Sequence, residues 1–451
     1  VEHTTARVVQ PVDGRSLAVA RIVFGAIGVL SAARLVGRGW VTSLLVDPEV
    51  HLRYPGLAWI PVPPPTAIWV LVAIVAASSI AVALGWHYRI AIAAFLVAFT
   101  WVELIESTMY LNHYWFMTLA GALMAVLPMS ARWSLDAHRR GDRSVPLGAV
   151  WLLRAQIAAV YLGAGIAKLH GDWLVHGLPL GLWLPARAHL PVVGPLLEHP
   201  GTAIAASWAG ALFDCTVVGF LLWRRTRLVA WLVVVTFHLV TWLLFPVIGV
   251  FPWLMIGLST VFFDPDWPRA IIARFGAAPV GTSRLPDLHR PTATPTKRRL
   301  LAAAVVVWIL VQVALPLRHL AYPGDHRWTG EGYRFGWNVM LVEKAGAATF
   351  ELTDPRTGER SRTAGDDLFT PAQLRVLTTD PELLRQAAHA LAARTAASGR
   401  TRPEVRVDAS VSLNGRPAAR LVDPTVDLAA EPWRPGPQRW ILAAPTTPPP
   451  G

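Results

Sequence analysis

Lys168 stands in YLGAGIAKLHGDWL, residues 161 to 174, after seven apolar or small residues. The chain has three lysines, Lys168, Lys297 and Lys344, against thirty-eight arginines. An arginine is effectively always protonated, whereas a desolvated lysine can give up its proton and act as a base. Lys168 closes a long apolar run, so it is expected at the edge of a bilayer core. Two roles fit that position: a base in a dry pocket, or a snorkelling anchor among lipid headgroups.

Other residues could share that depth. In WVELIESTMYLNHYWF two apolar runs meet, which puts Asn112 and His113 at a helix junction on Lys168's side. A neutral imidazole beside an amide can relay a proton, or can simply bond a loop carbonyl. Glu103 and Glu106, three apart, are expected on one helix face with a buried cation such as Arg154 as partner. Asp214 and His238 either line a cavity or satisfy a neighbouring helix. Trp40, Trp173, Trp183 and Trp253 read as interfacial tryptophans. No phosphate loop, zinc spacing or serine triad is present, so any chemistry must use an organic cofactor or proton transfer, with no metal.

The elements that must position these residues are membrane spans. Of the 451 residues 53% are hydrophobic and 16% charged, a composition displaced toward integral membrane proteins. The net charge of +12 is carried by short arginine blocks between apolar runs, which argues for basic loops and against nucleic acid. Cys215 is the single cysteine, so no internal disulfide can form. Runs of bridging length, about 20 residues, lie near 16–36, 66–85, 89–111, 112–130, 147–168, 202–223, 228–247 and 299–316. A shorter one at 249–263 spans or re-enters. The first run is too long for a signal-peptide core and Arg21 interrupts it, so it is read as a retained span.

Basic segments at 131–144, 224–227 and 269–299 fall on one side if the short run crosses, and the positive-inside rule makes that side cytoplasmic. About nine spans then put the N-terminus in the cytoplasm and the C-terminal region outside. If 249–263 re-enters, the tail moves to the cytoplasm. The expected fold class is therefore an α-helical polytopic membrane protein with a small outer α+β domain. Its domains are residues 1–316 transmembrane, 317–335 a connector near the site, 336–440 the α+β domain and 441–451 a disordered tail. Within the α+β domain, NVMLVE and ATFELTD are expected to pair as a hairpin through KAG. The helix-like TPAQLRVL and PELLRQAAHALAAR follow, then a second hairpin from EVRVDASVSL through NGR to PAARLV.

Several segments, in order, carry a resemblance: YLNHYWF, SLDA, LLRAQIAAVYLGAGIAKLHGDWL, HLVTWLLFPVIGVFPWLMI with PDWPR, and LPLRHLAYPGDHRWTGEGYRFGWNVMLVEK. Over residues 16 to 355 the chain resembles the vitamin K-dependent gamma-glutamyl carboxylase family, in its bacterial branch of horizontally transferred transmembrane domain proteins. The resemblance implies quinol-coupled deprotonation and carboxylation of a glutamate-type substrate, with reduced vitamin K or menaquinol as cofactor and carbon dioxide and dioxygen as co-substrates. It makes Lys168 the quinol base with His113 and Asn112 as catalytic neighbours, and His238, His319 and Trp242 cofactor-binding. Implied partners are the lipid bilayer, a lipid quinone and a peptide or protein substrate. Departures exist: Glu106 and Ser107 stand where the family carries an Asp-Lys pair, and Thr241 where it often has asparagine. Arginine- and alanine-rich usage suggests a bacterial plasma membrane. The alternatives are a non-catalytic membrane anchor or receptor of the same family, or a quinone- or lipid-handling protein.

Overall fold

The computed structural model describes residues 9–274 and 295–449. Most of the basic stretch 269–299 and the last two residues of the expected disordered tail lie outside them. The helical bundle starts with α1 (Arg15–Gly37), α2 (Pro65–Leu84), α3 (Tyr88–Ile105) and α4 (Asn112–Val126). It continues with α5 (Leu147–Ala167), α6 (Pro200–Leu222), α7 (Arg227–Leu244), the short α8 (Phe251–Leu258) and α9 (Pro295–Leu317). Among the described residues seven helices are long and apolar enough to cross a membrane. The other two expected spans are shorter: α4 has 15 residues, and α8 with its 3-10 extension covers Phe251–Phe262.

Local chemistry sets the helix limits. Proline at the first turn of α2 and α6 costs no intrahelical hydrogen bond. Gly85, with φ +64, ends α2 in the left-handed conformation that glycine adopts freely. Arg21, wholly buried, donates to the carbonyls of Val82, Ala83, Met129 and Trp133, so a charge inside α1 satisfies the frayed end of α2. α1 and α2 approach so closely that a Cβ on Gly25 would lie 2.6 Å from the Ser79 carbonyl oxygen. Small residues at such contacts are how helices pack where lipid is as apolar as leucine.

The short apolar run carries the chain from end to end of the bundle. Before it, the Leu244 carbonyl accepts from Arg187; after it, the Pro265 carbonyl accepts from the Ser16 amide at the start of α1. Asp264 pairs there with Arg224 and Arg227. Arg154 holds this return by donating to the carbonyls of Val261, Phe262 and Phe263, so it is not the partner of a glutamate.

The two-residue strands β1 (Pro11–Val12) and β2 (Val145–Pro146) form a ladder of their own, and the C-terminal region is a four-stranded antiparallel sheet in the order β4-β3-β5-β6, with β3 Lys344–Thr353, β4 Arg360–Thr363, β5 Glu404–Leu413 and β6 Ala419–Arg420. Helices α10 (Pro371–Leu377) and α11 (Pro381–Ala397) complete it. On β5 the alternate residues Val405, Val407, Ala409, Val411 and Leu413 are buried, and with Phe350 they form one core with Leu383, Leu384 and Leu391 of α11. Each buried valine, leucine or phenylalanine among them contributes about 1.5–3 kcal/mol of transfer free energy. The hairpin expected at KAG is absent. Lys344 through Thr353 runs as one strand against all of β5, because ten residues of backbone pairing outweigh a turn that no positive-φ residue supports at Lys344, Ala345 or Gly346.

Candidate functional site

Lys168 follows the last residue of α5 as its cap. It is 5% exposed, and its Nζ donates to Asp214 Oδ2 of α6 at 2.8 Å and to the Ala164 carbonyl at 3.2 Å. The Trp173 ring faces the nitrogen at 5.3 Å. Snorkelling is therefore ruled out: the side chain turns inward. One turn earlier Gly165 makes this reach possible, since a Cβ there would stand 2.7 Å from Cys215 Sγ and 2.9 Å from the Cys215 nitrogen. A larger residue would push α5 from α6 at the level where lysine meets aspartate.

Two turns down the same face, the Tyr161 hydroxyl lies 3.0 Å from His238 Nε2 of α7. Both are buried, and stacked Phe213 and Phe237, ring centres 3.9 Å apart, adjoin them. The Phe251 ring of α8 is 6.0 Å from His238 and 6.0 Å from His113. His113 is buried against Tyr114 and Phe251 and makes no side-chain hydrogen bond among the described residues. Phe251, His238 and Tyr161 thus link the His113 side of the core to the helix that carries Lys168. No hydrogen bond joins Lys168 directly to His113 among the described residues.

The remaining expected site residues fall elsewhere. Asn112 accepts from the Tyr110 hydroxyl and donates to the Asn338 carbonyl, both at 2.9 Å, so its amide ties α4 to the segment that leads into β3. His319, just after α9, bonds the Pro316 carbonyl at 2.8 Å and stacks 4.1 Å from His326. Trp242 is 42% exposed, edge-on to Trp253. Glu103 and Glu106 do not share a helix face, because α3 ends at Ile105 and Glu106 is extended. Glu106 accepts from the Leu52 and Thr108 amides, the Thr108 hydroxyl and the Gln373 amide of the C-terminal domain.

Sequence reasoning missed Asp172, four residues past Lys168. It receives Arg416 at 2.6 and 2.8 Å and Asn414 at 2.9 Å, with Arg327 at 3.7 Å. Burial alone would raise this carboxyl, but hydrogen bonds from Arg416 and Asn414 and the charges of Arg327 and Arg416 bring it down to about 2. Its neighbour His170 is lowered to about 4, first by burial and then by the Arg327 charge, and its Nδ1 takes the Arg327 guanidinium at 2.6 Å. The C-terminal hairpin therefore grips the turn that leaves Lys168. Asp214 carried a usable signal: an acid and a lysine that both close on the bundle interior satisfy each other more cheaply than separately.

Chemically, a buried amine–carboxylate pair can hold and move one proton between Nζ and Oδ2, and the aromatic residues around Tyr161 and His238 supply flat apolar faces. Comparison with known proteins adds two matches. A family model described as HTTM domain matches residues 9–267, and one described as Vitamin K-dependent gamma-carboxylase, lumenal domain, matches residues 297–447. No solved structure matches the chain.

Proposed function

We propose, from the premise that this chain belongs to the HTTM-domain family, that it performs quinol-coupled deprotonation and carboxylation of a glutamate-type substrate. The two matched domains make it a gamma-carboxylase-like multi-pass membrane protein. The finer reading adds the bacterial branch, the plasma membrane, a cytoplasmic N-terminus and an extracytoplasmic C-terminal domain.

The observation that carries the chemistry is the Lys168–Asp214 pair, both residues 5% exposed and 2.8 Å apart. With one proton shared between them the pair is neutral; a second proton leaves one positive charge, which the anion formed beside it offsets. Lys168 Nζ is the atom proposed to receive a hydroxyl proton, and Asp214 Oδ2 the atom that holds its partner proton. An arginine could keep the charge but could not release it. Reduced vitamin K or menaquinol, when bound, would supply through its oxidation by dioxygen the strong base that a glutamate γ-carbon demands, and carbon dioxide would be the carboxyl donor. The residues present fit such a group: a buried amine paired with a carboxylate, aromatic faces, and the His113 imidazole without a side-chain partner among the described residues. His113 is proposed to bond an oxygen of the reacting centre, and Asn112 to fix the start of α4 beside it. His238, held by Tyr161, is proposed to line the cofactor's approach. Among the described residues His319 and Trp242 make no hydrogen bond or ring contact with this group and are proposed only as outer positions along that path.

The test is purified protein in lipid nanodiscs with reduced vitamin K or menaquinol, labelled bicarbonate and glutamate peptides. Label in peptide is expected, with a loss of at least about 100-fold in Lys168→Arg, the scale of a missing general base. No label from any quinol with folded protein overturns the reading. That outcome favours a non-catalytic anchor of the same family, in which the same salt bridge merely fastens α5 to α6.

A further inference from the structure

Away from the Lys168 group, α1, α2, α3 and the start of α4 line a small apolar cleft. Leu35, Val72, Val75 and Phe99 line it together with Ser31, Glu103 and residues near them. Its walls are apolar, yet two polar atoms there lack partners. Glu103 is 8% exposed; its Oε2 accepts from Thr118 at 2.9 Å, while Oε1 is buried without a hydrogen bond among the described residues. The Ser31 hydroxyl is likewise buried and unpartnered. Buried polar groups in folded proteins are nearly always paired, and each orphan costs about 1–3 kcal/mol, more for an acid. Two such atoms on residues that line one apolar cleft are what a hydroxyl head entering it from the lipid side would pair with.

We infer that this cleft is a second binding site, for an uncharged amphiphile whose single hydroxyl donates to Glu103 Oε1 and accepts from Ser31 Oγ. The chemistry of the lining selects that class. An anionic head would meet a carboxyl with no cation lining the cleft, and a pure alkane would leave both orphans unpaired. A phenol-headed lipid and an aliphatic lipid alcohol share the required group. The site does not depend on the assignment of Lys168, since none of that cluster's residues lines the cleft.

The experiment uses the full chain in nanodiscs with photoactivatable, alkyne-tagged probes of equal length: hexadecanol, a phenol-headed analogue, the amine and the alkane. Either hydroxyl probe is expected to label peptides covering residues 31–35, 72–75 or 99–109, with the alkane at least about tenfold weaker, as for a hydrogen bond to an acid. A stronger phenol signal assigns a quinol-type source, a stronger alcohol signal a lipid alcohol, and both sustain the site. Glu103→Leu is expected to cut labelling about tenfold, and Val75→Phe, which fills the cleft without touching Glu103, to abolish it. Competition on the unaltered chain by unlabelled hexadecanol against hexadecane gives the same answer should either variant fail to fold. Equal labelling by alkane and alcohol, displacement of the alcohol by the amine at lower concentration, or labels mapping elsewhere would each overturn the inference.

Discussion

Asp214 and Glu103 are both carboxyl groups inside the helical bundle, 5% and 8% exposed, yet Asp214 has a lysine at 2.8 Å and Glu103 has only a threonine. The first acid is complete in the chain as it folds; the second has an oxygen left over. A buried charge is tolerated when an opposite charge and hydrogen bonds satisfy it, and removing one partner exposes the full desolvation cost of the other. The same functional group is thus satisfied differently at two places in the bundle. Asp214 is paired with an amine, whereas Glu103 keeps one oxygen unpaired among the described residues.

The sharpest way to break this comparison is to remove one member at a time. Asp214→Leu leaves Lys168 alone in the interior and is expected to lower stability by about 3–5 kcal/mol, while the double change Lys168→Met with Asp214→Leu recovers most of it. Glu103→Leu, having no cation to strand, is expected to be neutral or stabilising in lipid-free detergent. Thermal melting of the four proteins reads all three outcomes, and an equal loss for Glu103→Leu and Asp214→Leu would erase the distinction.

A second variant probes how Lys168 is brought to its partner. Gly165→Ala places a methyl 2.7 Å from Cys215 Sγ and should cost about 1–3 kcal/mol through overpacking. It should also depress any Lys168-dependent activity more than Gly37→Ala, where nothing lies within 4 Å.

The grip of the C-terminal hairpin on Asp172 is smaller and pH-dependent. Its carboxyl falls from the ordinary 3.8 to about 2 in the folded chain, so its contribution is present above pH 3.8 and is lost as pH falls through about 2. Asp172→Asn should cost about 1–3 kcal/mol at neutral pH, the range for charged hydrogen bonds. Increased hydrogen exchange at Leu413–Arg416 would report it.

Lys344 gives the smallest effect and the opposite sign. Burial lowers its amine from 10.5 to about 8, against the raising influence of Asp380 and Asp325. Between pH 8 and 10.5 the unfolded chain binds the extra proton, so stability conferred through this residue rises with pH. Hydrogen exchange in β3 should slow, relative to Lys344→Met, as pH goes from 8 to 10.

The architecture was largely legible because apolar runs of bridging length and arginine-rich joints are long-range signals that need no tertiary context. The seven long helices and the α+β character of the C-terminal region follow from them. The failures were local. Glu106 was assigned to a helix because its spacing from Glu103 is three, but spacing says nothing of where α3 ends. The KAG turn was inferred from composition, whereas register with β5 decided the strand. Arg154 went to the carbonyls of Val261, Phe262 and Phe263 because a short helix end exposes acceptors that sequence does not display. Lys168, Asp214, His113 and His238 could each be singled out as polar groups in apolar runs. Which of them touch is a matter of helix packing around Gly165 and Phe251, and one sequence does not encode that visibly.

The most direct measurement is the initial rate of epoxide formation from reduced vitamin K in nanodiscs, for the unaltered chain and for Lys168→Arg with its melting temperature matched within a few degrees. A fall of at least about 100-fold is expected, since the guanidinium keeps the charge beside Asp214 but cannot surrender its proton. Equal rates in the two proteins would contradict a proton-accepting role for the amine at position 168.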